Sequence, residues 1–185
     1  MALVIVQMGH CFRRKTATGT PGEQLFAKRT GDACGRVLPD RGHQVRVIRA
    51  DDPAGAYLGD VFLAVHCDGS TDTTAHGAGV GYQSTSGRAV ARAFTTAYAA
   101  RGWRGFRPDN ATPALKGYYG VTIARSQGVP FAFVLQAGFL TNGHDREVLT
   151  SEEGPRLVAD ALADAVDEVV ESRFVRGRGA GGTRD

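Results

Sequence analysis

Three short segments in this chain carry side chains suited to metal chemistry: Gly9-His10, Gly22-Glu23 and Val65-His66. Two imidazoles and one carboxylate make a donor set for catalytic zinc, which takes three protein ligands and keeps one exchangeable position. Each residue alone has an ordinary explanation. His10 could be a loop residue, and Glu23 a helix-start carboxylate favoured by the helix dipole. The combination points to a metal-assisted hydrolase. A fourth segment, Gln136-Ala137-Gly138-Phe139-Leu140-Thr141-Asn142, follows an apolar run and begins with an amide.

These residues are far apart in sequence, so the elements between them must bring them together. Residues 2–7, 61–65 and 131–135 are nearly continuous apolar runs of strand length, as expected of strands buried on both faces. Residues 44–48 alternate polar and apolar, and 80–82 form a further short strand. Helical spacing appears over 23–38, through Leu25, Phe26, Ala33, Cys34, Val37 and Leu38, and Pro39-Asp40-Arg41-Gly42 is read as its end. Residues 88–101 form a second helix, and 151–174 a long amphipathic one opened by Ser151, Glu152 and Glu153. Residues 13–22, 51–59 and 68–77 read as loops, and 102–117 as irregular. The alternation predicts a single α/β domain with a central, mostly parallel or mixed sheet flanked by helices. His10, His66 and Gln136 fall at or just past strand ends, where such sheets gather functional residues. The domain is expected over 1–175. Residues 176–185, rich in Gly and Arg, read as a flexible tail or linker remnant.

A net charge of +3 is only mildly basic and fits solvated surface, or affinity for an anionic polymer such as a cell wall. No apolar run of about 18 residues exists to span a membrane. The first eight residues lack the basic start of a signal peptide and read as a buried strand. Three cysteines, Cys11, Cys34 and Cys67, without paired spacing, argue against a disulfide framework or a cysteine-rich zinc site. Cys67, alternating with His66 along a strand, points to the opposite face and reads as packing. Cys11 and Cys34 are read in the same way.

Taken together, the segments resemble the zinc-dependent N-acetylmuramoyl-L-alanine amidases of the amidase-3 family, from about Val4 to Val170. The strand ending in Gly9-His10, the helix start Gly22-Glu23, the strand ending in Val65-His66-Cys67-Asp68 and the segment from Gln136 to Asn142 with Asp145 all match its pattern; the last is the most specific. Arg49 and residues 79–82 also fall where the family has similar residues. The resemblance implies Zn2+ held by His10, Glu23 and His66. It implies cleavage of the amide between the lactyl group of N-acetylmuramic acid and L-alanine of the stem peptide. It places Gln136 where the family has its general-base glutamate. An amide cannot take a proton at neutral pH, although it can orient water or donate to an oxyanion. Losing general acid–base help typically costs on the order of 10²–10⁴ in rate, which would leave the site inactivated or slowed. The connection between the second and third strands, residues 50–59, is short where the family often has a helix, so the site should be open on that side.

The expectation is therefore a peptidoglycan amidase of the phage endolysin catalytic-domain type. It would be made in the host cytoplasm without a signal peptide and act at the bacterial cell wall. It would be a monomer with peptidoglycan as partner, no nucleic acid and no membrane insertion. The alternative is a non-catalytic, zinc-containing wall-binding or regulatory module. A zinc peptidase is the weaker reading, because no His-Glu-x-x-His pair occurs. Asp68, expected on the face of His66, and Glu147 are further carboxylates that could act as base, although Asp68 reads rather as a loop residue or an outer partner of the site. His43 and His144 read as exposed loop residues, and His76 as a solvated loop residue within reach of the groove. Trp103, Phe106, Tyr118 and Tyr119 could line a groove but read as core. Substrate-binding residues are not identifiable from the sequence.

Overall fold

The computed structural model describes residues 1–13 and 18–179, with side chains described as far as Ser172. Five strands form one sheet in the order β2-β1-β3-β5-β4. They are β1 (Leu3–Met8), β2 (Gln44–Arg49), β3 (Val61–Asp68), β4 (Gly79–Tyr82) and β5 (Phe131–Phe139). β2, β1, β3 and β5 run parallel, and β4 closes the edge antiparallel to β5. The sheet is thus mixed, as the alternation of elements implied.

The apolar runs become the central strands because both faces are covered. On one face, Val4 and Val6, then Val61, Leu63 and Val65, then Phe131, Phe133 and Leu135 pack with Phe26, Phe94 and Leu162. Those partners come from α1 (Glu23–Asp40), α2 (Thr85–Ala100) and α6 (Glu153–Gly179). On the other face, Ile5, Phe62, Ala64, Ala132 and Val134 pack with Tyr57, Leu115, Val121 and Ala124. These lie on a 3₁₀ turn (Ala54–Tyr57), α3 (Pro113–Lys116) and α4 (Tyr119–Ser126). By alternation Gln7, His66 and Gln136 share this second face, near the carboxyl ends of their strands.

Several local expectations are corrected. α1 ends at Asp40, two residues past the 23–38 reading and within the segment read as its end. The Arg41 and Gly42 N–H groups close this end on the Leu38 and Pro39 carbonyls. The turn assigned to His144 opens a further helix, α5 (Gly143–Thr150), whose N-cap Asn142 accepts from the His144 and Asp145 N–H groups. α6 runs past Phe174 to Gly179, and the rest of the proposed tail, 180–185, lies outside the described residues, as do positions 14–17 of the first loop. His43 is buried, not exposed. Its Nδ1 accepts from Ala2 N–H and its Nε2 meets Asp167 at 2.8 Å, tying the start of β1 to α6.

Candidate functional site

The first strand delivers His10 through a sharp turn in which His10 itself has φ 54°, a left-handed conformation uncommon outside Gly, Asn, Asp and His. Gly9 allows the approach. A Cβ there would lie 2.4 Å from the Val65 carbonyl oxygen and 2.5 Å from the His66 ring. Glu23 opens α1 and turns its carboxylate under the two imidazoles. His66 lies in β3, two residues before its end, and is buried.

The donor atoms converge. Glu23 Oε1 lies 3.0 Å from His66 Nδ1 and 3.4 Å from His10 Nε2. All three ligand atoms lie within 4.8 Å of one another, so the cluster could hold a metal ion. Bonds of about 2.0–2.2 Å in a tetrahedron set neighbouring donors about 3.3 Å apart, so the separations to Glu23 suit zinc. The remaining nitrogens are also engaged. His10 Nδ1 meets Thr18 Oγ1 at 2.8 Å, and His66 Nε2 meets the Tyr118 hydroxyl at 2.7 Å. Such outer partners orient ligating histidines.

Glu23 is 2% exposed. Its charge is supported by backbone donors: Cys67 N–H to Oε1 at 3.1 Å and Thr20 N–H to Oε2 at 3.0 Å. Burial holds His10 below the ordinary histidine range; Glu23 opposes this and His66 adds to it. His10 is therefore neutral near pH 7, as a ligand must be. Cys67 contributes its backbone only. Its thiol lies among the core residues, and burial pushes its pKa well up. Cys11, Cys34 and Cys67 are all buried and free.

Gln136 is the register partner of His66 across β3 and β5. Its Oε1 is buried and has no hydrogen-bond partner among the described residues. The next position in the row is Gly79, paired with Gln136 from β4. The Arg107 guanidinium fills the space Gly79 leaves, since a Cβ there would meet Nη2 at 2.9 Å. Arg107 lies over Phe139, 4.7 Å from the ring centre. Its Nη2 is 2.7 Å from Asp68 Oδ2, an ion pair by distance that is not aligned as a hydrogen bond. Asp68 meets Arg107 on the side of the sheet where alternation along β3 expects it. β5 carries an extra residue here, so Asp68 pairs with Phe139 while still standing two residues from His66 along β3, and its carboxylate faces Arg107. Glu147 is exposed on α5.

The Amidase_3 family, described as N-acetylmuramoyl-L-alanine amidase, matches residues 4–168. The chain belongs to this amidase family. No curated protein sequence matches it. Among solved structures it is similar to the catalytic domain of CwlV, an N-acetylmuramoyl-L-alanine amidase from Bacillus (Paenibacillus) polymyxa var. colistinus. The two share 23% identity and a TM-score of 0.70 over 92% of this chain and 99% of that one. The amidase Ami1 from Mycobacterium smegmatis gives 18% identity and a TM-score of 0.72, covering 92% and 97%. The catalytic domain of the CD27L endolysin, which targets Clostridia difficile, gives 16% and 0.69, covering 91% and 98%. These likenesses show the amidase catalytic-domain fold.

Within this family member, Tyr118 is the site residue that sequence reasoning undervalued. Its ring packs against the core, as the sequence implies, and its hydroxyl also touches His66. Tyr119 is exposed and donates to the Ala50 carbonyl at 2.9 Å. Trp103 is core, as read, stacked on Tyr98 at 5.0 Å. His76 Nδ1 meets the Thr74 carbonyl of its own loop, and His144 is exposed. A groove lined by Met8, Cys11, Leu25, Lys28, Val47 and Arg49 lies between α1 and β2, and none of His10, Glu23 and His66 lines it. No helix among the described residues is long and apolar enough to cross a membrane.

Proposed function

We propose that this chain is a zinc-dependent peptidoglycan amidase whose general-base position is occupied by an amide. The observation that carries the reading is the convergence of His10 Nε2, Glu23 Oε1 and His66 Nδ1 at zinc-like separations on a buried, backbone-supported carboxylate. The bond cleaved is the amide between the lactyl group of N-acetylmuramic acid and L-alanine. When bound, zinc supplies Lewis-acid chemistry for the amide carbonyl and for water.

The chain's own residues account for the rest. His10, Glu23 and His66 hold the ion, and Glu23 brings one negative charge against its two. Gln136 stands beside His66 with an unpaired Oε1. That oxygen can accept a hydrogen bond from water and orient it, and the amide N–H can donate, but neither can take up the proton. The reading is thus a slowed hydrolase rather than a differently built one. Its expected setting is that of an endolysin-type catalytic domain acting on the bacterial wall. Gln136 also favours a second reading, a zinc-containing wall-binding module without turnover.

Release of free stem peptide from purified peptidoglycan, comparing the zinc-loaded protein with Gln136→Glu, separates these. A gain of about 10²–10⁴ in the Glu variant supports a disabled general base. Equal activity in both refutes the role given to residue 136. Silence in both, with retained binding to the wall, supports the module.

A further inference from the structure

Behind His66 lies a line of polar side chains that the hydrolytic chemistry does not itself use. Gln7, on the central strand β1, is fully buried, and so is Tyr57 from the 3₁₀ turn. Gln7 Nε2 donates to the Tyr57 hydroxyl at 2.6 Å. The Tyr118 hydroxyl donates to Gln7 Oε1 at 2.7 Å and lies 2.7 Å from His66 Nε2. Polar groups so deep in a sheet are costly unless each is satisfied. The apolar alternative is evident in the surrounding face, where Ile5, Phe62 and Ala64 pack without any such groups.

The directions of these bonds matter. A phenol has one proton to donate. Tyr57 takes the amide N–H of Gln7, which turns Gln7 Oε1 toward Tyr118. Tyr118 spends its proton on that oxygen. Its lone pair then faces His66, and an Nε2–H on the ring is the partner that satisfies it there. That leaves Nδ1 with its lone pair directed at Glu23, where the ion is proposed to sit. If Gln7 could not accept, Tyr118 would be free to donate to Nε2 and favour the opposite tautomer, with a hydrogen on the ligating nitrogen.

We infer that Tyr57, Gln7 and Tyr118 form a buried relay whose role is to position His66 and fix its Nε2–H tautomer for metal binding. This rests on the reading of His10, Glu23 and His66 as metal ligands. Tyr118 and Gln7 are positioning residues. Neither supplies a donor atom to the ion, and Gln7 touches none of the three ligand side chains in the bonds described.

The test uses the full chain and zinc alone. Dissociation constants are measured by competition with a chromophoric chelator, after melting of each chelator-treated protein has established that it folds. Tyr118→Phe should weaken zinc by about 10–100-fold, the usual cost of losing an outer partner of a ligating histidine. Gln7→Leu should also weaken it, although it is one bond further away. The double variant should be no weaker than Tyr118→Phe alone, because Gln7 acts only through the phenol. In zinc-loaded wild type, the slowly exchanging Nε2–H proton of His66 should appear in the imidazole region of the NMR spectrum, and Tyr118→Phe should lose it. A merely structural network would lower melting temperatures while leaving zinc affinity and that proton in place.

Tyr118→Phe binding zinc within twofold of wild type overturns the relay. So do additive losses in the double variant. If Tyr118→Phe fails to fold, Gln7→Leu alone decides, and unchanged affinity there overturns the inference. Absence of zinc binding by the wild type is a different outcome, and it removes the metal-site reading itself.

Discussion

Replacing Glu23 by glutamine isolates what the buried carboxylate does. The change conserves shape, so no cavity forms. The carboxylate accepts Thr20 N–H at 3.0 Å on one oxygen and Cys67 N–H at 3.1 Å on the other. An amide keeps one oxygen only, so one of these N–H groups must face an NH2. A hydrogen bond to a charged group contributes about 1.5–3 kcal/mol, and a buried donor left unpaired costs about 1–3 kcal/mol. Relief from burying the charge offsets part of this. The net expectation in chelator is a loss of about 2–3 kcal/mol for Glu23→Gln. Zinc widens the gap. At free zinc one hundred times its Kd, the wild type gains about 2.7 kcal/mol by mass action, while the variant, lacking the anionic ligand, gains little. Urea unfolding with chelator and with zinc measures both terms. The metal-site reasoning is refuted if zinc raises the midpoint of Glu23→Gln as much as that of the wild type. The hydrogen-bond reasoning is refuted if the two proteins are equally stable in chelator.

Gly9→Ala should abolish zinc binding and lower the melting temperature, since its Cβ would press on the Val65 carbonyl at 2.4 Å and the His66 ring at 2.5 Å; normal zinc affinity would contradict the close approach. Burial holds the folded-state pKa of His10 below its ordinary 6.5, so its contribution is intact above 6.5 and is lost as pH falls through the lower folded value. Melting in chelator should therefore decline below pH 6.5, and His10→Asn, which tolerates a positive φ, should flatten that part of the profile. Cys34 is fully buried and its thiol is pushed up to about 12. It should resist alkylation at pH 8 until the chain unfolds, and rapid labelling of the native protein would count against the packing described.

Much of the fold could be read locally. The central strands announce themselves because burial on both faces leaves no room for polar residues in residues 2–6, 61–65 and 131–135. α1 and α6 are long enough for their apolar stripe to repeat. α4 and α5, at eight residues each, are too short for periodicity to stand out, and the sequence reading passed over both. His43 looked exposed because its neighbours are polar. Its burial depends on Asp167 arriving from α6, which no local pattern reports. Asp68 looked like a companion of His66 because strand alternation puts residues two apart on one face. The register slip there lies in β5, so alternation holds along β3; what no local pattern reports is Arg107, which takes up the carboxylate.

The residue types at the site were legible as well. His10 and Glu23 stand at element boundaries and His66 two residues before the end of β3, near the carboxyl edge where α/β sheets gather functional residues. That Gln136 differs in proton chemistry from a glutamate follows from its side chain alone. What the sequence could not supply is mutual geometry. The pairing of His66 with Gln136 depends on the register of β3 against β5, and the shared Glu23 oxygen depends on where α1 begins relative to β3. Tyr118 reaches His66 across 52 positions of chain, and Gln7 reaches Tyr118 across 111. Hydrogen-bond direction in that line is set by which atoms the packing brings within 3 Å, and packing is a property of the assembled sheet. The chain thus determined by itself the strands, the donor types and an amide at position 136. Only the tertiary structure decided which nitrogen of His66 faces the carboxylate, because that choice depends on a partner on the far side of the ring.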